Sequence, residues 1–334
     1  MVGQDIKSVL ITGGAGYVGS ALVPKLVQKG YNVKVYDLYI YGDVFSHIRN
    51  NPALIQIKGD IRDKKELVES TKNVDAIVHL ACISNDPSYM LDPALGKSIN
   101  YDAFFNLIEA ARINDVKRFI YASTSSVYGI KKEKNVRETA ICEPLTEYSK
   151  YKLDCENILL NSGKSDMDRV VLRPATVCGY AQRLRLDLVV NILIINALIN
   201  KKIKIFGGKQ LRPNINIKDM VRVYELLLLA PKNKINGEIF NAGYQNHSVE
   251  ELAKIIKKVI GDPELIFDYI PTDDIRSYHI NSDKIRKVLG FKPKYTIEDG
   301  VQSIVEAYRN GLITDGLNNP AYYNIKMMQQ INLK

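Results

Sequence analysis

Short apolar runs recur through the first half of the chain, and most are followed by a segment patterned for a helix. Ser8-Val9-Leu10-Ile11-Thr12 is continuous and apolar, the texture of a strand buried on both faces. Residues 20–29 then read as an amphipathic helix that stops at Gly30. Further strand runs fall at 32–36, 54–58, 76–80, 118–122 and 170–173, with helices expected at 100–113 and 147–160. Strand alternating with helix predicts a doubly wound α/β fold: a parallel sheet with helices on both faces. Ligands of such sheets lie beyond the carboxyl ends of the strands.

After Gly179 the texture changes. A helix is expected at 186–200, a strand at 203–206, a helix up to about Ala230 and a last sheet strand at 238–242. Helices near 248–260, 282–289 and 297–310 follow, the first opened by the capping pattern Ser248-x-x-Glu251. This predicts a smaller, interleaved C-terminal α/β substrate-binding domain. Residues 1–178 with about 214–244 would form the larger domain, and 179–213 with about 245–334 the smaller one.

Composition narrows the class. The 334 residues are 46% hydrophobic and 25% charged, as in ordinary globular proteins. The formal charge of +9 could draw an anionic ligand. The lysines are scattered, however, and no basic stripe interleaved with aromatics is present, so nucleic-acid binding is not expected. Cys82, Cys142, Cys155 and Cys178 show no C-x-x-C spacing, so neither a metal site nor a disulfide framework is expected. The longest apolar stretch, 188–199, is broken by Asn191 and Asn196 and is too short to span a bilayer. With no signal-peptide pattern at the start, a cytoplasmic protein without membrane contact is expected.

Two patterns carry chemistry. Gly13-x-x-Gly16-Tyr17-Val18-Gly19 sits between the first strand and the first helix. A glycine turn there lets backbone N–H groups and a helix N-terminus approach a diphosphate. Asp37 ends the second strand 18 residues after Gly19, near the distance at which an acid meets the adenosine ribose hydroxyls. A carboxylate there repels a 2′-phosphate, so NAD is expected rather than NADP. The second pattern is Tyr148 and Lys152, four apart and therefore on one helix face. A phenol beside a fixed ammonium is expected to have a lowered pKa and to take a proton from an alcohol.

The chain resembles the extended short-chain dehydrogenase/reductase family, in its sugar-nucleotide epimerase/dehydratase branch, over nearly its whole length. The resemblance rests on 12–19, Gly59-Asp60-Ile61, His79-Leu80-Ala81, Asn100, 123–129, Tyr148-x-x-x-Lys152 and Leu172-Arg173-Pro174. It implies a Rossmann-type sheet and NAD. It implies that Tyr148 is the base, that Lys152 holds the nicotinamide ribose, and that Thr124 hydrogen-bonds the reacting oxygen. Asp60 and Ile61 would flank the adenine, while Leu80, Ala81, Asn100, Ser123 and Pro174 would line the cofactor. Arg212 and Arg276 would meet a nucleotide diphosphate, and Thr176 and Arg183 would belong to the substrate site.

The resemblance also implies a homodimer or higher homo-oligomer, packed through helices at about 100–113 and 147–161. Ser125-Ser126 stands where dehydratases of this kind have Asp-Glu, which argues against dehydration, because hydroxyls of ordinary pKa cannot serve as its acid and base. The stretch 183–191 is similar to one in heptose-nucleotide 4-dehydrogenases. The leading expectation is an NAD-dependent sugar-nucleotide 4-epimerase. A net 4-dehydrogenase of the GDP-heptose type is the alternative. A non-catalytic NAD-sensing or scaffold protein would share the fold, but an intact Thr124, Tyr148 and Lys152 set argues against it.

Overall fold

The computed structural model describes residues 5–131, 133, 135–162, 166–272, 277 and 279–334. Seven parallel strands form one sheet: β1 (Ser8–Thr12), β2 (Asn32–Asp37), β3 (Leu54–Lys58), β4 (Ala76–His79), β5 (Arg118–Ala122), β6 (Asp168–Pro174) and β10 (Glu238–Ala242). Their spatial order is β10-β6-β5-β4-β1-β2-β3. The chain thus starts in the middle, winds one way to β3, returns through β4 and winds the other way. The reversal between β1 and β4 opens a crevice at their carboxyl ends, where such folds bind ligands. The central strands are buried on both faces, which is why their sequences are apolar runs rather than alternating ones.

Helices cover both faces. Tyr17–Gln28 and Ile217–Leu229 pack together on one side, and Ala103–Ile113 and Glu147–Leu160 belong to the apolar layer on the other. Arg118, fully buried at the start of β5, ties the layers together. It pairs with Asp168 at 3.0 Å and donates to the carbonyls of Leu227 and Leu228, which end helix Ile217–Leu229.

The remaining strands are short. β7 (Thr176–Cys178), β9 (Leu211–Asn216) and β11 (Gln245–Ser248) form a three-stranded sheet. β8 (Lys202–Phe206) and β12 (Ile266–Ile270) form a parallel pair. The hydrophobic pattern predicts only β8 among these five. β9 and β11 are polar and β9 contains Pro213, so their pairing is supplied by neighbours rather than by intrinsic preference. The expected helix 100–113 begins with a widened π turn at Ser98–Asp102. A further helix, Asn324–Ile331, follows the last one expected from sequence.

Candidate active site

The glycine loop is fixed by close packing. Gly13 has φ +70°, and a Cβ there would stand 2.4 Å from the backbone nitrogen of Ala81. A Cβ on Gly19 would stand 2.2 Å from the carbonyl oxygen of Gly14. Only glycine lets the loop lean on β4 and lets the helix pack on the loop. Helix Tyr17–Gln28 begins at Gly16 with no side chain capping it, so its N-terminal N–H groups remain available to a ligand.

Asp37 supports the same loop. Its two carboxylate oxygens accept from the N–H groups of Ala15 (2.9 Å) and Tyr39 (2.8 Å). Burial raises its pKa, opposed by those N–H groups and by the nearby Arg183.

Helix Glu147–Leu160 carries the Tyr148 and Lys152 pair. Thr146 caps it with a reciprocal capping box through Ser149, and Thr146 also donates to Asp86 at 2.5 Å. Tyr148, Lys152 and Glu156 follow at four-residue spacing on one face, and all three are buried. Lys152 donates to the carbonyl of Ala122 at the end of β5 (2.8 Å). Its Nζ is 6.0 Å from the Tyr148 ring centroid and 5.1 Å from that of Tyr121. Glu156 accepts from the Ser123 hydroxyl and forms a forked ion pair with Arg173 on β6, the shortest contact being 2.6 Å. Arg173 lies over the Tyr128 ring at 4.9 Å, and Tyr128 donates to Asn241 on β10 at 2.7 Å. A buried polar chain therefore anchors the reactive helix to three strands of the sheet.

The expected lowering of the Tyr148 pKa is not what the protein's own groups produce. Burial raises it, with Cys82 and Asp86 adding to the rise. The guanidinium of Arg185 and the N–H of Asn85 pull it down, but less than burial pushes it up. Spacing on a helix gives proximity to Lys152; desolvation depends on what the fold stacks around the ring.

One cavity of about 480 Å³ collects these groups. Gly13, Gly16, Tyr17, Val18, Gly19, Asp37, Asp60, Ile61, Leu80, Ala81, Ser123, Thr124, Tyr148, Lys152, Pro174, Thr176, Arg183 and Arg212 all line it. Asn100 does not. Its side-chain amide accepts from the N–H of Ile83 (2.8 Å) and donates to the Ile83 carbonyl (2.9 Å), so it shapes the loop after β4 from behind. Arg276 lies outside the described residues. Thr124 is extended, and its hydroxyl accepts from the N–H of Ser126 (3.1 Å).

Beside the expected Arg183, sequence reasoning missed Arg185, Tyr41 and Asn324. Arg185 lines the cavity, held by Asp187 (2.6 Å) and by the hydroxyl of Ser84 (2.5 Å). Arg183 lies on the ring of Tyr41, 3.7 Å from its centroid, and donates to Asn324 at 2.6 Å. Tyr41 is four residues past Asp37, so Arg183 stands on the cofactor side of the cleft. Its buried Nε has no hydrogen-bond partner among the described residues, a donor that an anionic ligand would satisfy. The two arginines two residues apart were a visible signal; the tail residues that meet them were not read as a helix.

A strand-ended glycine loop, an uncapped helix N-terminus, a carboxylate at the end of β2 and a buried Tyr/Lys pair, all on one cavity, fit a dinucleotide-dependent enzyme of the short-chain type. The model of the NAD dependent epimerase/dehydratase family matches residues 9–243, and the chain belongs to that family. It is 30% identical to the UDP-glucose 4-epimerase of Lacticaseibacillus casei over 325 residues, covering 91% of this chain and 96% of that protein. It is 29% identical to UDP-glucuronic acid decarboxylase 1 of Arabidopsis thaliana, over 94% of this chain and 72% of that one. Among solved structures it is similar to the UDP-glucose 4-epimerase of Thermotoga maritima with UDP-glucose, at a TM-score of 0.82 and 28% identity, covering 91% of this chain and 99% of that one. The protein is thus an NAD-dependent enzyme of the epimerase/dehydratase family.

Proposed function

We propose that the protein is a sugar-nucleotide 4-epimerase. The observation that carries this is the meeting of Tyr148, Lys152 and Thr124 in one cavity, with serines rather than carboxylates at 125 and 126. NAD, when bound, supplies the acceptor and then the donor of a hydride. Tyr148 takes the proton of the sugar C4 hydroxyl, and Thr124 holds that oxygen by a hydrogen bond. Lys152, tethered to Ala122, presents a fixed cation to the nicotinamide ribose. Burial favours the protonated phenol, and Arg185, already fixed in the cavity wall, offsets part of that effect. Arg212 binds the nucleotide diphosphate from the rim. Proton return from Tyr148 to the opposite alcohol completes the turnover.

The similarity to 4-epimerases supports this reading at the level of the family. We also place the protein in a homodimer through helices Ala103–Ile113 and Glu147–Leu160, since Phe105 and Ile113 of the first stand exposed. The deciding experiment offers the purified protein UDP-, GDP-, dTDP- and CDP-sugars and follows product mass together with NADH absorbance. An isomer of unchanged mass is expected. Loss of two hydrogens with accumulating NADH would make it a net dehydrogenase, loss of water a dehydratase and loss of carbon dioxide a decarboxylase. Any of these three would overturn the reading.

A further inference from the structure

Residues 324–334 are unused by the chemistry above, yet they line its cavity. Asn324, Met328 and Leu333 form part of the wall. At one end, the Asn324 side-chain oxygen accepts from Arg183 (2.6 Å) and from the Tyr41 hydroxyl (2.9 Å). Its backbone N–H donates to Asp187 at 3.1 Å, and its amide donates to the carbonyl of Ser84 at 3.3 Å. At the other end, the carbonyl of Lys334 accepts from Arg62 at 2.8 Å, and Arg62 is itself paired with Asp60 at 2.6 Å. Between these ends, Met328 shares an apolar cluster with Ile61, and Leu333 packs against that cluster. The segment therefore contacts the loops after β2, β3, β4 and β7, which surround the dinucleotide end of the cleft.

We propose that Met328 and Leu333 are binding residues for the adenosine half of the dinucleotide, and that segment 324–334 retains the cofactor through successive turnovers. A flat, weakly polar ring is bound by apolar surface on both sides. Ile61, Met328 and Leu333 belong together on the cavity wall and offer such an apolar surface. Release requires the segment to leave Arg62 or Arg183, so exchange is slow. The inference rests on NAD occupying this cleft and not on which sugar reaction follows.

The test uses full-length protein loaded with NADH and diluted into excess NAD, with release read from the loss of NADH fluorescence. No sugar nucleotide is present, so a wrong 4-epimerase assignment leaves the result untouched. Met328→Ala with Leu333→Ala should speed release about tenfold or more, the scale set by exposing two apolar contacts. Affinity for nicotinamide mononucleotide, which lacks the adenosine half, should not change. Leu333→Ala alone, at a partly exposed position, should give a smaller increase in a protein with unaltered melting, and serves if the double variant does not fold. Unchanged NADH release, or an equal loss of affinity for the mononucleotide, would overturn the proposal.

Discussion

The two walls of the cleft are held by different means. On one wall, the glycine loop, the strand ends and the Tyr148–Lys152 helix are positioned by backbone packing and by a buried ion pair. On the other, Arg183, Arg185 and the tail are positioned by side-chain hydrogen bonds across long sequence separations, as between Arg183 and Asn324. The first wall allows little substitution, because a Cβ at Gly13 or Gly19 would enter backbone atoms. The second can be altered one side chain at a time. Chemistry common to a family is built on the rigid wall; ligand choice and retention are suited to the adjustable one.

The largest effect should come from the rigid wall. Tyr148→Phe removes only the ionisable oxygen, so turnover should fall by about 10²- to 10⁴-fold while NAD binding and melting stay unchanged. Steady-state rates beside a cofactor titration check this, and a wild-type rate would show that the base is elsewhere.

Stability tests the same wall a second way. Glu156→Ala strands Arg173 in the interior and should cost about 3–5 kcal/mol in urea unfolding. Glu156→Gln with Arg173→Met removes both charges and should recover part of that loss. If the double variant is less stable than the single one, the pair contributes more than the avoidance of a lone buried charge.

Arg212 probes the rim of the second wall. In the proposed role, its loss removes one charge-assisted phosphate contact, worth about 1.5–3 kcal/mol. Arg212→Ala should therefore lower kcat/KM about ten- to a hundredfold and spare NAD binding. Arg212→Lys should restore only part, because the planar fork is gone. Weaker NAD binding in Arg212→Ala would move this residue to the cofactor.

Asp37 sits where the walls meet, and its effect should be smaller. Asp37→Ala should relax the preference for NAD over NADP by about tenfold, one charge-assisted hydrogen bond. Calorimetry of both cofactors measures it, and a wild-type protein that binds NADP more tightly would contradict the assignment.

Which residues line the rigid wall of the cavity was largely readable beforehand. Gly13 to Gly19, Asp37, Asp60, Ala81, Thr124 and Tyr148 lie at strand ends or on one helix face, and those positions follow from spacing. Asn100 was readable as a site residue but acts one layer behind, through Ile83. The phenol of Tyr148 was misjudged because its neighbour Lys152 is visible in sequence and its burial is not. Strands β7, β9, β11 and β12 were missed because they are short and mostly exist by pairing. Helix Asn324–Ile331 carries apolar positions at Ile325, Met328 and Ile331, a pattern that was there to be read.

The sequence alone determined the order along the chain of the seven large-sheet strands and most of the long helices, the parallel sheet, and the placing of a glycine loop and a Tyr/Lys pair at its carboxyl edge. These depend on periods of two and 3.6 residues and on turns within a few residues, which the chain encodes locally. Only the tertiary structure decided that Glu156 and Arg173 lock the reactive helix, that burial dominates the Tyr148 phenol, and that Asn324 meets Arg183 across 141 residues of chain. Those contacts have no period. They exist because the folded core brings distant side chains together and withdraws water from them, and that solvation is a property of the assembled fold.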